Sequence, residues 1–238
     1  MTAVLPTRVA NPQGASYRAR AVYAAARTVA RPVLKAWPLS RPGFVAASAL
    51  DVAMRFTPKP RYARVDPVEF DGFRGEWVRA GEPDEEAAIV YFHGGAFVFC
   101  GLNTHRRGVA RLAEATGRPV LSVGYRQQPA APMSRSIADC IEAYEMLLAD
   151  GRDPAKIVFA GDSAGGCLAF AVAMAVRDAG LPMPGGLVAL SPLLDFYSED
   201  VLMHRNLRRD AYLPGDRIAR LAAAFAAGGE ALDPENCP

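Results

Sequence analysis

Residues 159–166 read F-A-G-D-S-A-G-G, so Gly161, Ser163 and Gly165 stand in the spacing G-x-S-x-G. A short apolar run, residues 157–160, precedes the motif, and a helix-forming stretch, residues 164–179, follows it. The serine therefore falls on a strand-to-helix turn, the setting in which such a hydroxyl becomes an exposed nucleophile. A turn that sharp strains the backbone, and the residues two positions either side must be nearly free of side chain. Gly161 and Gly165 meet that demand. The amides of the helix that starts at Ala164 favour negative charge developing beside them. A second segment, His93-Gly94-Gly95-Ala96-Phe97, closes the strongest apolar run of the chain. Successive glycines let a backbone approach a reacting group closely enough for its N–H groups to hold an oxyanion. His93 reads as a satisfied histidine at a strand end, one that shapes the loop rather than moving protons.

These segments need a scaffold, and the apolar pattern describes one. Residues 16–36 carry apolar positions Val22, Tyr23, Ala26, Val29 and Ala30 at helical spacing and end before Pro38. Residues 42–56 form a second helix, opened by Pro42 and closed by Pro58 and Pro60. Residues 65–70 and 73–78 flank Asp71-Gly72, a hairpin signal. Strand-like runs at 87–93, 119–125, 157–160 and 186–190 then alternate with helical stretches at 106–116, 137–150 and 164–179. Near-continuous apolarity predicts strands buried on both faces, and the alternation predicts an α/β fold: a mostly parallel sheet covered by helices on both sides. Residues 1–60 form a helical lead-in or cap, and residues 61–238 the core.

Composition excludes several classes. Of 238 residues, 51% are hydrophobic and 22% charged, an ordinary globular mix, so neither disorder nor a fibrous chain is indicated. A net charge of +2 points to no nucleic-acid partner. Residues 1–50 hold six Arg, one Lys and no acidic residue, which could face a membrane or an acidic partner, although we read a solvated helical face. Cys100, Cys140, Cys167 and Cys237 show no C-x-x-C pair and no metal-ligand spacing with the three histidines, so reduced thiols and no metal site are expected. Arg18, Arg20, Arg27 and Arg31 interrupt the first apolar stretch, which argues against a secretory signal and leaves a cytoplasmic expectation. Residues 87–104 lack charge but contain His93, the glycine pair and Asn103, and so read as a buried strand with its loop rather than a membrane span.

The chain resembles the hormone-sensitive-lipase-like branch of the α/β hydrolases, the bacterial family IV esterases. The likeness rests on His93-Gly94-Gly95 and on Gly161-Asp162-Ser163-Ala164-Gly165-Gly166, supported by Thr104-His105, Ser122-Val123-Gly124-Tyr125-Arg126 and Ser191-Pro192-Leu193-Leu194-Asp195. It implies an α/β-hydrolase fold with an N-terminal helical cap, and a serine carboxylic-ester hydrolase without cofactor or metal, acting on small ester substrates. Ser163 would attack the carbonyl, and the amides of Gly94, Gly95 and Ala164 would hold the oxyanion. Two departures stand out. Ala96 replaces the loop's third glycine, which is tolerable where its backbone angle is ordinary. The family's Tyr-Arg-Leu-Ala-Pro-Glu reads Tyr125-Arg126-Gln127-Gln128-Pro129-Ala130, a change expected to alter packing near the pocket and not the chemistry.

The resemblance also implies a triad in the order serine, acid, histidine. Only His204 follows Ser163, 41 residues on, and it reads as an exposed or cap residue. Asp195, Glu199 and Asp200 lie on the wrong side of the expected strand, and Asp195 fits a pocket- or loop-shaping role better. The acid should come after a strand following the helix near 215–227, whereas the sequence ends at Asp233-Pro234-Glu235-Asn236-Cys237-Pro238. The expectation is a core without its last strands, with the triad acid and base absent and turnover impaired. Residues 186–190 would then form a sheet edge open to pairing with another chain, favouring weak stability or a homo-oligomer. Two other readings stand beside the esterase: a non-catalytic ligand-binding pseudo-hydrolase and a fragmentary gene product.

Overall fold

The computed structural model describes residues 14–194 and 204–217, together with 220, 221 and 223. Asp195, Glu199, Asp200, Cys237 and the C-terminal Asp233 to Pro238 lie outside the described residues. The chain forms two compact units, one from Met1–Trp37 with Ser198–Arg220, the other from Pro38–Tyr197 with Leu221–Pro238.

In the first unit a helical rod opens at Ser16, whose hydroxyl accepts from the Ala19 amide at 3.2 Å. It runs as α1 (Tyr17–Ala25), a π-helical stretch (Ala26–Ala30) and α2 (Arg31–Ala36). The widened stretch leads directly into Pro32, which has no N–H to bond the carbonyl four residues back, so an unbroken α-helix is not available there. The expected apolar stripe is not a buried one: Val22 is 69% and Val29 62% exposed. Some of the basic residues serve backbone carbonyls. Arg31 Nη2 reaches Leu207 O at 3.1 Å, Arg27 reaches Asp210 O, and Arg217 reaches Trp37 O.

The second unit holds a six-stranded sheet in the order β1-β2-β4-β3-β5-β6. Its strands are β1 (Ala63–Glu69), β2 (Arg74–Ala80), β3 (Ala88–Phe92), β4 (Val120–Gly124), β5 (Ile157–Asp162) and β6 (Gly186–Leu190). The Asp71-Gly72 turn joins β1 to β2 with Glu69 opposite Arg74, and Gly72 supplies the positive φ of 81°. Both β1–β2 and β2–β4 pair antiparallel, while β4, β3, β5 and β6 run parallel. Helix α3 (Arg41–Met54) precedes the sheet; α4 (Leu102–Thr116), α5 (Met133–Ala149) and α6 (Ala164–Asp178) make the crossovers. α3, read above as part of the lead-in, shares its compact unit with the sheet.

Alternation along the strands divides the core. Ile89, Tyr91, Val120 and Ala160 pack with Val109, Ala110 and Ala113 of α4. On the opposite face Phe159 meets Phe92 and Tyr144 edge-on, at ring separations of 5.6 and 4.8 Å. β3 is buried throughout, as its apolar run predicts, but β6 is not: Val188 is 49% and Leu190 59% exposed. The reason is position, since among the described residues β6 pairs only with β5 and is an edge.

A buried polar relay ties α3 and α4 to the sheet. Asp51 of α3 accepts from the Asn103 side chain at 2.7 Å and the Thr104 amide at 2.8 Å, occupying one of the free backbone N–H groups at the start of α4. Asn103 Oδ1 accepts from Arg106, whose Nε also donates to Glu76 of β2 at 2.9 Å. Arg106 and Glu76 are 6% and 8% exposed, so removing one charge strands the other in the interior. Arg106→Met should lower the unfolding free energy by about 3–5 kcal/mol, and Arg106→Met with Glu76→Leu should recover most of it in urea titrations. Equal losses for the single and double variants would contradict a buried, mutually dependent pair.

Candidate active site

β3 and β5 are neighbours, yet β4 follows β3 on one side and β6 follows β5 on the other, so strand order reverses between them. Ligands of open α/β sheets bind beyond the carboxyl ends of strands at such a reversal. Both sequence motifs lie there: the His93–Phe97 loop after β3 and Ser163 after β5.

Ser163 has φ 51° and ψ −116°, and its helix α6 begins at the next residue. A left-handed angle is rare for a residue with a Cβ, and it persists here because the bend is braced. The Ser163 amide donates to Leu190 O at 3.0 Å, and the Leu193 amide donates to Ser163 O at 3.1 Å. The flanking glycines are required by close approach: a Cβ on Gly165 would lie 1.9 Å from Phe92 O, and one on Gly161 2.2 Å from Gly165 O. The end of β3 thus presses directly against the elbow. Ser163 is half-buried and Ala164 buried.

Asp162 joins the two loops. Its Oδ1 accepts from Tyr91 Oη at 2.7 Å and from the Gly94 amide at 2.9 Å, and His105 Nε2 of α4 lies 3.4 Å away. Burial alone would raise the Asp162 pKa. The contacts from His105, Tyr91 and the Gly94 amide outweigh it and bring the carboxyl down to about 2. The neighbouring Tyr91 hydroxyl is pushed well up by burial and by that same charge.

The geometry changes two expectations. The Gly94 amide, read from the motif as an oxyanion donor, is already committed to Asp162. The amides of Gly95 and Ala96 follow it and make no hydrogen bond among the described residues, as is also true of the Ala164 amide at the first position of α6. Ala96, tolerable in the loop on condition of an ordinary backbone angle, does not meet that condition: it has φ 54°, and Phe97 and Cys100 follow at 57° and 68°. The loop coils tightly, with the Val98 and Phe99 amides both donating to Gly95 O at 3.0 Å. This strain was invisible in the sequence, because no glycine marks those three positions.

All three histidines lie among the described residues. His93 is 1% exposed, its ring stacked on Tyr125 at 4.3 Å. Its Nδ1 sits 2.8 Å from Gly94 O, which can only accept, so Nδ1 carries the proton. His105 faces Asp162. His204, in the other unit, is exposed and accepts from the Asn206 amide through Nδ1 at 3.3 Å. Each of the three rings is thus engaged elsewhere, and among the described residues none is bonded to Ser163 Oγ. Nor do those residues contain a His, Cys, Asp and Glu cluster able to hold a metal ion. Cys100 and Cys140 are free thiols. An open groove of about 580 Å³ and an adjoining one of about 200 Å³ run beside Ser48, Arg74, Tyr125 and Gln127, and neither is lined by Ser163. No described helix is long and apolar enough to cross a membrane.

The family model for the alpha/beta hydrolase fold matches residues 89–238, more than half of the chain. The chain belongs to the α/β hydrolases, in their hormone-sensitive-lipase-like branch. An acetyl-hydrolase of Streptomyces hygroscopicus is 35% identical over 173 residues, covering 73% of this chain and 58% of that protein. Esterase LipU of Mycobacterium tuberculosis is 42% identical over 143 residues, covering 59% and 48%. Among solved structures, an esterase of the bacterial hormone-sensitive lipase family superimposes with a TM-score of 0.78 at 28% identity, covering 94% of this chain and 74% of that one. EstE5 soaked with p-nitrophenyl butyrate gives 0.78 at 32% identity with the same coverage. The hydrolase chain spans about half the length of the curated relatives it matches.

The buried groups at this site make the stability of the fold depend on pH. Burial lowers the His93 pKa from 6.5 to about 4, against the opposing Gly94 contact. The unfolded chain therefore takes up the proton first, and the contribution of neutral His93 is full above pH 6.5 and lost on acidification toward 4. Asp162, lowered from 3.8 to about 2, contributes fully above 3.8 and is lost as pH falls toward 2. His93→Phe, which can keep the stack on Tyr125, should flatten the decline between pH 6.5 and 4, and Asp162→Asn the decline below 3.8, in urea unfolding across a pH series. An unchanged upper limb in His93→Phe would rule the ring out as its source.

Proposed function

We propose that this chain carries the site of a carboxylic-ester hydrolase for small esters of short-to-medium acyl chains, with Ser163 as the nucleophile. The observation that carries the reading is the elbow itself: a serine at φ 51° between β5 and α6, pressed against a glycine loop whose next free amides are those of Gly95 and Ala96. With the Ala164 amide they form a set of donors for the charge that develops on an ester carbonyl, while Gly94 holds the loop to Asp162. Relatives named esterase, acetyl-hydrolase and carboxylesterase/phospholipase support the substrate class.

A second reading has its own observation: among the described residues the three imidazoles are engaged with Gly94, Asp162 and Asn206, and none is bonded to Ser163 Oγ. An oxyanion site without its general base binds and polarises an ester but turns it over slowly. On triads from which members have been removed, acceleration of order 10³ to 10⁴ over water persists. The chain by itself should hydrolyse p-nitrophenyl acetate and butyrate at such a reduced level, and Ser163→Ala should bring the rate to background. Equal rates for the two proteins would eliminate Ser163 as nucleophile. A rise in melting temperature with an ester analogue, without turnover, would favour the binding reading.

A further inference from the structure

Three of the four residues that follow β4 hold the glycine loop by three of its carbonyls. Tyr125 Oη donates to His93 O at 2.6 Å, the Gln128 amide to Phe97 O at 2.9 Å, and Gln127 Nε2 to Cys100 O at 2.9 Å. The span they grip is the strained one, with Ala96, Phe97 and Cys100 all at left-handed angles. Residues with a Cβ stay in that region only where their surroundings over-determine them.

The three bonds differ in origin. One comes from the main chain and one from a tyrosine that the resembling esterases also carry at this point. The third belongs to Gln127, where their pattern has a leucine, which has nothing to donate. Its orientation is settled by chemistry, because Cys100 O only accepts and the nitrogen end must face it. The other end is left wanting: Gln127 Oε1 is buried with no partner among the described residues. A buried acceptor without a donor destabilises the fold, so stability alone does not account for an amide here.

We propose that Gln127 is a positioning residue for the loop, pinning its exit so that the Gly95 and Ala96 amides stay aimed at the ester oxygen. It acts through Cys100 and touches no substrate. The inference rests on the ester-hydrolase reading above, and its test separates the two.

Gln127→Met keeps the length of the side chain and removes both the donor and the stranded acceptor. The expected result is a melting temperature equal to or above that of the parent, with kcat for p-nitrophenyl butyrate at least tenfold lower and KM within twofold. That split follows because amides aimed at an oxyanion act on the transition state more than on bound ester. Hydrogen exchange of the amides in residues 96–101 should accelerate at least tenfold while exchange in the strands is unchanged. Unchanged kcat overturns the proposal, as does a loss of kcat that only follows a fall in melting temperature. Should the parent and Ser163→Ala show equal turnover, the hydrolase reading fails, and loop exchange alone then decides whether Gln127 is the clamp: acceleration keeps it and no change removes it.

Discussion

The site depends on a carboxylate kept charged away from bulk water. Asp162 is only partly exposed, and such a charge is tolerable only when donors replace its hydration. The donors come from three successive elements, all far from Asp162 in the chain: Tyr91 on β3, the Gly94 amide in the loop, and His105 in the first turn of α4. Satisfying one charge therefore brings the glycine loop, the strand it leaves and the helix it enters up to the elbow. A neutral side chain at 162 would offer no comparable reason for those groups to converge.

What the carboxylate gathers, the backbone then packs without slack. The contact between the end of β3 and the elbow is made of main chain on both sides, with room at Gly161 and Gly165 only for hydrogen. Packing that tight does not adjust continuously, so the distance between the two loops is set by the sheet and not by side-chain choice. Adjacency of β3 and β5 in the parallel part of the sheet is the precondition, and the crossovers through α4, α5 and α6 impose it.

Strain and support are balanced along the glycine loop. Left-handed angles at Ala96, Phe97 and Cys100 turn the chain back on itself, and the segment leaving β4 meets its carbonyls one after another. That segment is itself held to α5: the Arg126 amide and guanidinium both bond Asp139, which is fully buried. His93 and His105 contribute to this architecture. His93 is neutral and walled in against Tyr125, and His105 faces Asp162.

Local chemistry made much of this legible in the amino-acid order. The G-x-S-x-G elbow, the His93-Gly94-Gly95 loop, the Asp71-Gly72 hairpin and the alternation of strands with helices each follow from steric or periodic rules that act over a few residues. Element ends were less legible: α4 begins at Leu102 rather than near 106, because its first turn is stabilised by Asp51, 51 positions earlier than the helix start. The single helix expected over 16–36 widens at 26–30, whereas the edge expected at residues 186–190 is found, among the described residues, at β6. Tertiary structure alone decided that the Gly94 amide is spent on Asp162, that Ala96 takes a left-handed angle, and that Gln127 reaches Cys100. Each is a pairing between residues distant in sequence or a backbone angle imposed by such pairings, and neither leaves a mark in the spacing of residue types.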